Sequence, residues 1–159
     1  MHISTVRVAA AQPNYPRAAH MDRQTPQETR LATLAAQTRA ATSQEAQIPV
    51  MPEPGLGFDP QVEHAQELRA LAVQAETYIV IGCGLMTERG FGNETTVLTP
   101  SGDFLGIYGK AHPVVFGGEP YGINAGTFPV YNSPLGRLAT IICAAPSLDL
   151  PGIAELQYT

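Results

Sequence analysis

Tyr78-Ile-Val-Ile-Gly82 is a short, continuous apolar run rich in β-branched residues, the pattern of a strand covered on both faces. Such a strand needs a layer against it, and the residues upstream supply one. Gln61–Glu76 carries Val62, Leu68, Leu71, Ala72 and Ala75 with Glu63, Glu67 and Arg69 between them, which reads as an amphipathic helix. Farther back, Thr25-Pro-Gln-Glu28 forms a capping box with proline at the first helical position, the Thr hydroxyl and Glu side chain satisfying amides at a helix start. That helix is expected to reach about Ala46, with Leu31, Leu34, Ala35 and Ala41 on the stripe toward a sheet and Arg30, Gln37 and Gln44 elsewhere. Two further apolar runs are short strands: Val6–Ala11, read as buried and broken by Pro13, and Ile48–Met51, closed by the Pro52 and Pro54 that forbid helix there.

Downstream the pattern changes to hairpins. Asn93–Thr99 and Phe104–Tyr108 flank the turn tetrad Pro100-Ser-Gly-Asp103, and Phe128–Asn132 and Arg137–Cys143 flank Ser133-Pro-Leu-Gly136. His112–Thr127 reads as a Gly-rich loop. Strand, helix, strand, helix, strand and then hairpins give an α/β domain whose sheet carries helices on one face, the other face needing a cover.

Composition narrows the function classes. With 159 residues, one core is affordable and residues 1–159 read as a single domain. Nine basic against fourteen acidic residues, a net charge of −5 and no Trp make nucleic acid a poor partner. The longest apolar stretches reach about half of the ~20 residues a membrane helix requires. The N-terminus does not read as a signal peptide, so a cytoplasmic location is the default. Two cysteines in apolar runs argue for reduced thiols, and Cys83 reads as a small buried hydrophobe. Asn93-Glu-Thr95, formally a glycosylation triplet, is then a chance match. Gly82-Cys-Gly84 lacks the third glycine and helix of a dinucleotide fingerprint. His2, His20, His64 and His112 are scattered and show no ligand spacing with either cysteine, so zinc is not expected.

Three residues at the ends of strand-like segments remain. Cys143 closes Arg137-Leu-Ala-Thr-Ile-Ile-Cys143, Glu53 sits in Val50-Met-Pro-Glu-Pro54, and Lys110 lies in Gly106-Ile-Tyr-Gly-Lys-Ala-His112. Each alone reads as structural: a buried thiol, a turn carboxylate, a solubilising ammonium. Together they answer one reaction class. A thiol with an ordinary pKa of about 8.5 needs a base or a nearby cation to react, and Glu53 is the base available. Attack on an amide or nitrile carbon places negative charge on a heteroatom, for which Lys110 and the backbone N–H of Ala144 are donors. The leaving amine then needs a proton, which Glu53 returns.

At this point the chain resembles the nitrilase, or carbon–nitrogen hydrolase, superfamily over nearly its whole length. Val8-Ala-Ala-Ala-Gln-Pro13 is similar to the family's opening strand, and Pro49-Val-Met-Pro-Glu-Pro54 to the strand presenting its general-base Glu. Asn93–Thr99 with Tyr108-Gly-Lys-Ala-His-Pro113 resembles the hairpin ending in the catalytic Lys. Phe116-Gly-Gly-Glu119 resembles the place of a second Glu that orients the Lys, and Thr127-Phe-Pro-Val through Ile-Ile-Cys143 the strand pair ending at the nucleophile. The wording around Lys110 and Glu119 leans toward soluble relatives of apolipoprotein N-acyltransferase. The resemblance implies an αββα sandwich of which this chain holds the N-terminal part. It also implies a Glu53-Lys110-Cys143 triad supported by Glu119, a thioester acyl-enzyme, no metal or cofactor, a small amide or nitrile substrate and a homo-oligomer. Acyl transfer to an amine is the alternative within that chemistry; a truncated, non-catalytic binding or oligomerisation module is the alternative outside it. Two departures stand out: Ala144-Ala-Pro-Ser-Leu-Asp-Leu-Pro151 replaces the family's usual aromatic and acidic residues after the Cys, and the chain stops at Thr159 while family members continue.

Overall fold

The computed structural model describes residues 5–14, 25–112 and 128–142. Cys143, Ala144, Glu119 and the loop predicted after His112 lie outside the described residues. Within them the chain runs β1 (Val8–Ala10), α1 (Gln27–Thr42), β2 (Ile48–Val50), α2 (Ala65–Ala75), β3 (Ile79–Thr87), β4 (Gly90–Leu98), β5 (Phe104–Gly109), β6 (Val130–Ser133) and β7 (Gly136–Ala139).

The first five strands form one sheet in the order β1-β2-β3-β4-β5. β1, β2 and β3 are parallel, each joined to the next through a helix, and β3, β4 and β5 are antiparallel hairpins. The parallel strands therefore need crossover connections through helices, and the antiparallel ones need only turns. On one face Leu34 of α1 and Leu68, Leu71 and Ala72 of α2 pack against Ile79, Ile81, Cys83 and Leu98. On the other, Ile48, Tyr78 and Val97 are covered by Tyr131, Leu135 and Leu138 of the separate β6–β7 hairpin. That hairpin supplies part of the second cover the sequence called for.

Several expectations are corrected. The capping box does not form: Pro26 is itself the N-cap, extended at ψ 142°, and its carbonyl accepts the Thr29 and Arg30 amides. Proline has no side-chain oxygen to offer, and no side chain caps this end. The helix stops at Thr42, short of Ala46, because Glu45 turns left-handed at φ 63°. Arg30, placed off the buried stripe by periodicity, is 8% exposed. α2 begins only at Ala65, after His64 at φ 54°, so Val62 sits in the preceding turn and is 76% exposed. β1 is an edge strand rather than a buried one, with Val8 57% exposed. The strand predicted to end at Cys143 stops at Ala139, where its partner strand begins at Val130. The next partner would be Pro129, which has no N–H to continue the ladder.

Two irregularities in strand pairing lie beside the candidate site residues. Val50 pairs with Val80 and Leu56 with Cys83, so six steps on the β2 side face three on β3. Between β4 and β5 the register shifts once: two steps from Thr96 to Leu98 face three from Phe104 to Ile107. The surplus falls at Gly106, whose φ of +107° suits a bulge.

Candidate active site

Glu53 stands in the turn that follows β2, between two prolines that keep the backbone out of helix and strand pairing alike. Lys110 follows β5 directly. The pairing of Glu94 with Gly109 makes Asn93 the cross-strand neighbour of Lys110, and the Lys110 amide donates to the Asn93 carbonyl at 2.9 Å. Their side chains therefore emerge on the same face of the sheet, the one opposite the helices.

There the two predicted residues meet. Lys110 Nζ donates to Glu53 Oε1 at 3.2 Å, across 57 residues of sequence. Asn93 Nδ2 donates to the same carboxylate oxygen. The environment is asymmetric: the Lys110 side chain is 7% exposed and that of Glu53 31%. A nearly buried ammonium is thus held against a carboxylate that solvent or a small molecule can still reach. A buried charge persists only when paired and hydrogen-bonded, and Glu53 supplies such a partner for Lys110. Next to it, Tyr108 is 1% exposed and its hydroxyl accepts the Ala111 amide at 3.4 Å, bracing the backbone on the far side of Lys110.

The structure thus brings together two of the predicted site residues, Glu53 and Lys110, while Cys143, Ala144 and Glu119 lie outside the described residues. It adds Asn93, which motif reading sets aside as a chance glycosylation triplet. Asn93 and Lys110 lie equally far from the turn tetrad Pro100–Asp103, but the pairing next to that turn, Leu98 with Phe104, is one residue off this symmetry, and the bulge in β5 is what brings the two opposite each other. Cys83 is fully buried, as expected, and its thiol is pushed up to about 12 from 9.0, first by burial and then by the nearby carboxylates of Glu94 and Asp59. It is part of the core between the helices and the sheet. Among the described residues, no group of three or more His, Cys, Asp or Glu is arranged to hold a metal ion. Among the same residues, no helix is long and apolar enough to cross a membrane.

Comparison with known proteins gives the family and the fold. The family model for carbon-nitrogen hydrolases matches residues 7–149, and the chain belongs to that family. No protein of curated function matches it significantly. Among solved structures, an amidase from Nesterenkonia sp. superimposes with a TM-score of 0.64 at 20% identity, covering 90% of this chain and 57% of that one. A Glu-to-Gln variant of the amidase from Nesterenkonia sp. AN1, carrying acrylamide added at its active-site cysteine, gives 0.63 at 19% identity, covering 87% and 57%. A cysteine-to-alanine variant of the same amidase in complex with butyramide gives 0.62 at 19%, covering 86% and 55%. These likenesses establish a shared α/β fold, the nitrilase-type fold, of which this chain spans a little over half the length of the matched structures.

Proposed function

We propose that this chain carries the acid–base and electrostatic half of a cysteine-dependent amidase site, one that hydrolyses carbon–nitrogen bonds of small molecules through a thioester. The observation that carries the reading is the convergence of Lys110 Nζ and Asn93 Nδ2 on one oxygen of Glu53, a carboxylate still open to a substrate. Family membership extending past Cys143 supports that thiol as the nucleophile. An amidase neighbour whose cysteine-to-alanine variant binds butyramide supports a short aliphatic amide as the substrate class.

In this mechanism Glu53 accepts the thiol proton as Cys143 Sγ attacks the amide carbon. Negative charge builds on the former carbonyl oxygen, where the Lys110 ammonium and the Ala144 backbone N–H receive it. Glu119 orients the ammonium. Glu53 then hands its proton to the departing nitrogen, the C–N bond breaks, and the acyl group remains on sulfur as a thioester. A water molecule, deprotonated by Glu53, adds to the thioester carbon; the C–S bond breaks, the carboxylic acid leaves, and the thiolate takes the proton back. Electrons and protons balance among Glu53, Cys143, one amide and one water.

The test is ammonia release from butyramide by the intact protein. Cys143→Ala is expected to abolish it, and turnover undiminished by that change rejects the reading. Hydroxylamine included as an acceptor separates the two fates of the acyl group: hydroxamate outrunning carboxylic acid would assign acyl transfer instead.

A further inference from the structure

Lys110 and Asn93 grip the Glu53 carboxylate, but its backbone is carried by other residues. Pro52, Glu53 and Pro54 are the surplus in the unequal pairing of 50–56 with 80–83, and they stand out from the line of the sheet as a bulge. Its ends are tied to β3 by main-chain bonds. The Met51 amide donates to the Val80 carbonyl at 2.9 Å, the Gly55 and Leu56 amides share the Gly82 carbonyl at 2.9 and 3.0 Å, and the Gly84 amide donates to the Leu56 carbonyl at 2.8 Å.

The bulge folds down directly onto Gly82. A Cβ at that residue would lie 2.6 Å from the Pro52 carbonyl oxygen and 3.5 Å from Glu53 Cα. Both are backbone atoms, so no side-chain rotation relieves the clash; the bulge itself must move. From the other side α1 reaches over with two polar side chains. The buried Arg30 donates from Nη1 to the Gly55 carbonyl at 3.3 Å, and Gln27 Oε1 accepts the Gly57 amide at 3.0 Å. Burying a guanidinium is costly unless fixed acceptors meet it, so Arg30 is tied to the loop just beyond Pro54.

We propose that Gly82 and Arg30 are positioning residues for Glu53, Gly82 by leaving the floor of the bulge empty and Arg30 by holding the Gly55 carbonyl that closes it. The Gly82-Cys-Gly84 segment, which fails as a nucleotide fingerprint, is on this account the seat of the glutamate. The inference rests on Glu53 acting as the base, and two separate measurements keep it distinct from that reading.

The first measurement is hydrogen exchange in the intact protein. Gly82→Ala and Arg30→Met are expected to speed exchange at the Gly55 and Leu56 amides at least tenfold, while the amides of the β3–β4 ladder keep their protection. The second is steady-state turnover of butyramide, expressed per folded molecule below each variant's Tm. Gly82→Ala is expected to lower kcat about 100-fold with KM changed less than threefold, the effect of an ångström-scale misplacement of a catalytic group. Arg30→Lys is expected to recover part of what Arg30→Met loses. Gly92→Ala is the control, because a Cβ there would meet nothing closer than 3.6 Å. Exchange and kcat both unchanged in Gly82→Ala overturn the proposal, as does a lower Tm with kcat per folded molecule intact. If Glu53→Gln leaves turnover untouched, the role of the base falls, and the exchange data alone still decide whether Gly82 and Arg30 seat the bulge.

Discussion

The β3–β4 ladder runs through nine successive pairs, from Ile79 opposite Leu98 to Thr87 opposite Gly90, without a break. Its neighbours on either side do not: the β2 side carries the three-residue bulge with Glu53 at its centre, and β5 carries the extra residue at Gly106. A regular ladder can only alternate its side chains between two faces. Lifting a carboxylate out of one strand to stand over an ammonium at the end of another takes a departure from that alternation, which the Glu53 bulge supplies. The uninterrupted pair is the rigid reference, and the candidate chemistry hangs from the irregular segments beside it.

Variants at the two kinds of place should therefore separate chemistry from stability. The largest effect is expected from Lys110→Met, which keeps the buried stem and removes the charge. Turnover of butyramide should fall about 10³-fold, equivalent to about 4 kcal/mol, with the thermal midpoint nearly unchanged because Glu53 is left with solvent access. A large drop in Tm would break the comparison. Ile81→Ala tests the ladder in the opposite sense. Ile81 is fully buried against the helices, and its truncation should cost about 3 kcal/mol in denaturant unfolding while kcat per folded molecule stays within about threefold of the parent.

The smallest effect sharpens the comparison through pH. The Cys83 thiol, pushed up to about 12, stays protonated in the folded ladder while the unfolded chain's thiol ionises above 9.0. Its contribution to stability is therefore complete below pH 9 and declines as the pH climbs from 9 toward 12, by up to about 1.4 kcal/mol per pH unit. Cys83→Ala lacks that decline. Its stability deficit against the parent, followed by urea unfolding from pH 8 to 10.5, should shrink as pH rises; a constant deficit would show that burial of this thiol does not couple to folding.

Much of this arrangement is readable in the sequence because it obeys local rules. Alternation of strand and helix patterns points to the parallel half of the sheet, and Pro100-Ser-Gly-Asp103 marks the turn between β4 and β5. Glu53 and Lys110 are legible as charged residues stranded at the ends of apolar runs. Arg30 is not, because a helical wheel scores arginine as solvent-facing and cannot register a carbonyl such as Gly55 waiting 25 residues away. The tight reversal at Glu88-Arg89 escapes because charged residues there carry none of the usual Asn-Gly signal, so the strands read as Tyr78–Gly82 and Asn93–Thr99 in fact run on to Thr87 and back to Gly90. Asn93 escapes for a related reason. Its importance comes from a cross-strand partner, and register is fixed by tertiary pairing that motif reading does not see.

The extra residue in β5 has a consequence for length rather than identity. Phe104 and Lys110, an even number of positions apart, would share a face in a regular strand; here Phe104 packs toward the helices and Lys110 points the other way. Gly106 is thus a spare position. Its removal lets Leu105 stay packed against the cluster of Ile48, Tyr78 and Val97 and Ile107 stay opposite Thr96, with Lys110 still beside Asn93. Loss of Tyr108 leaves no such escape: either the ammonium turns to the helical side, or the bulge straightens to spare it and Ile107 leaves that side instead. Of the residues between Phe104 and Lys110, Gly106 is the one the hairpin can lose.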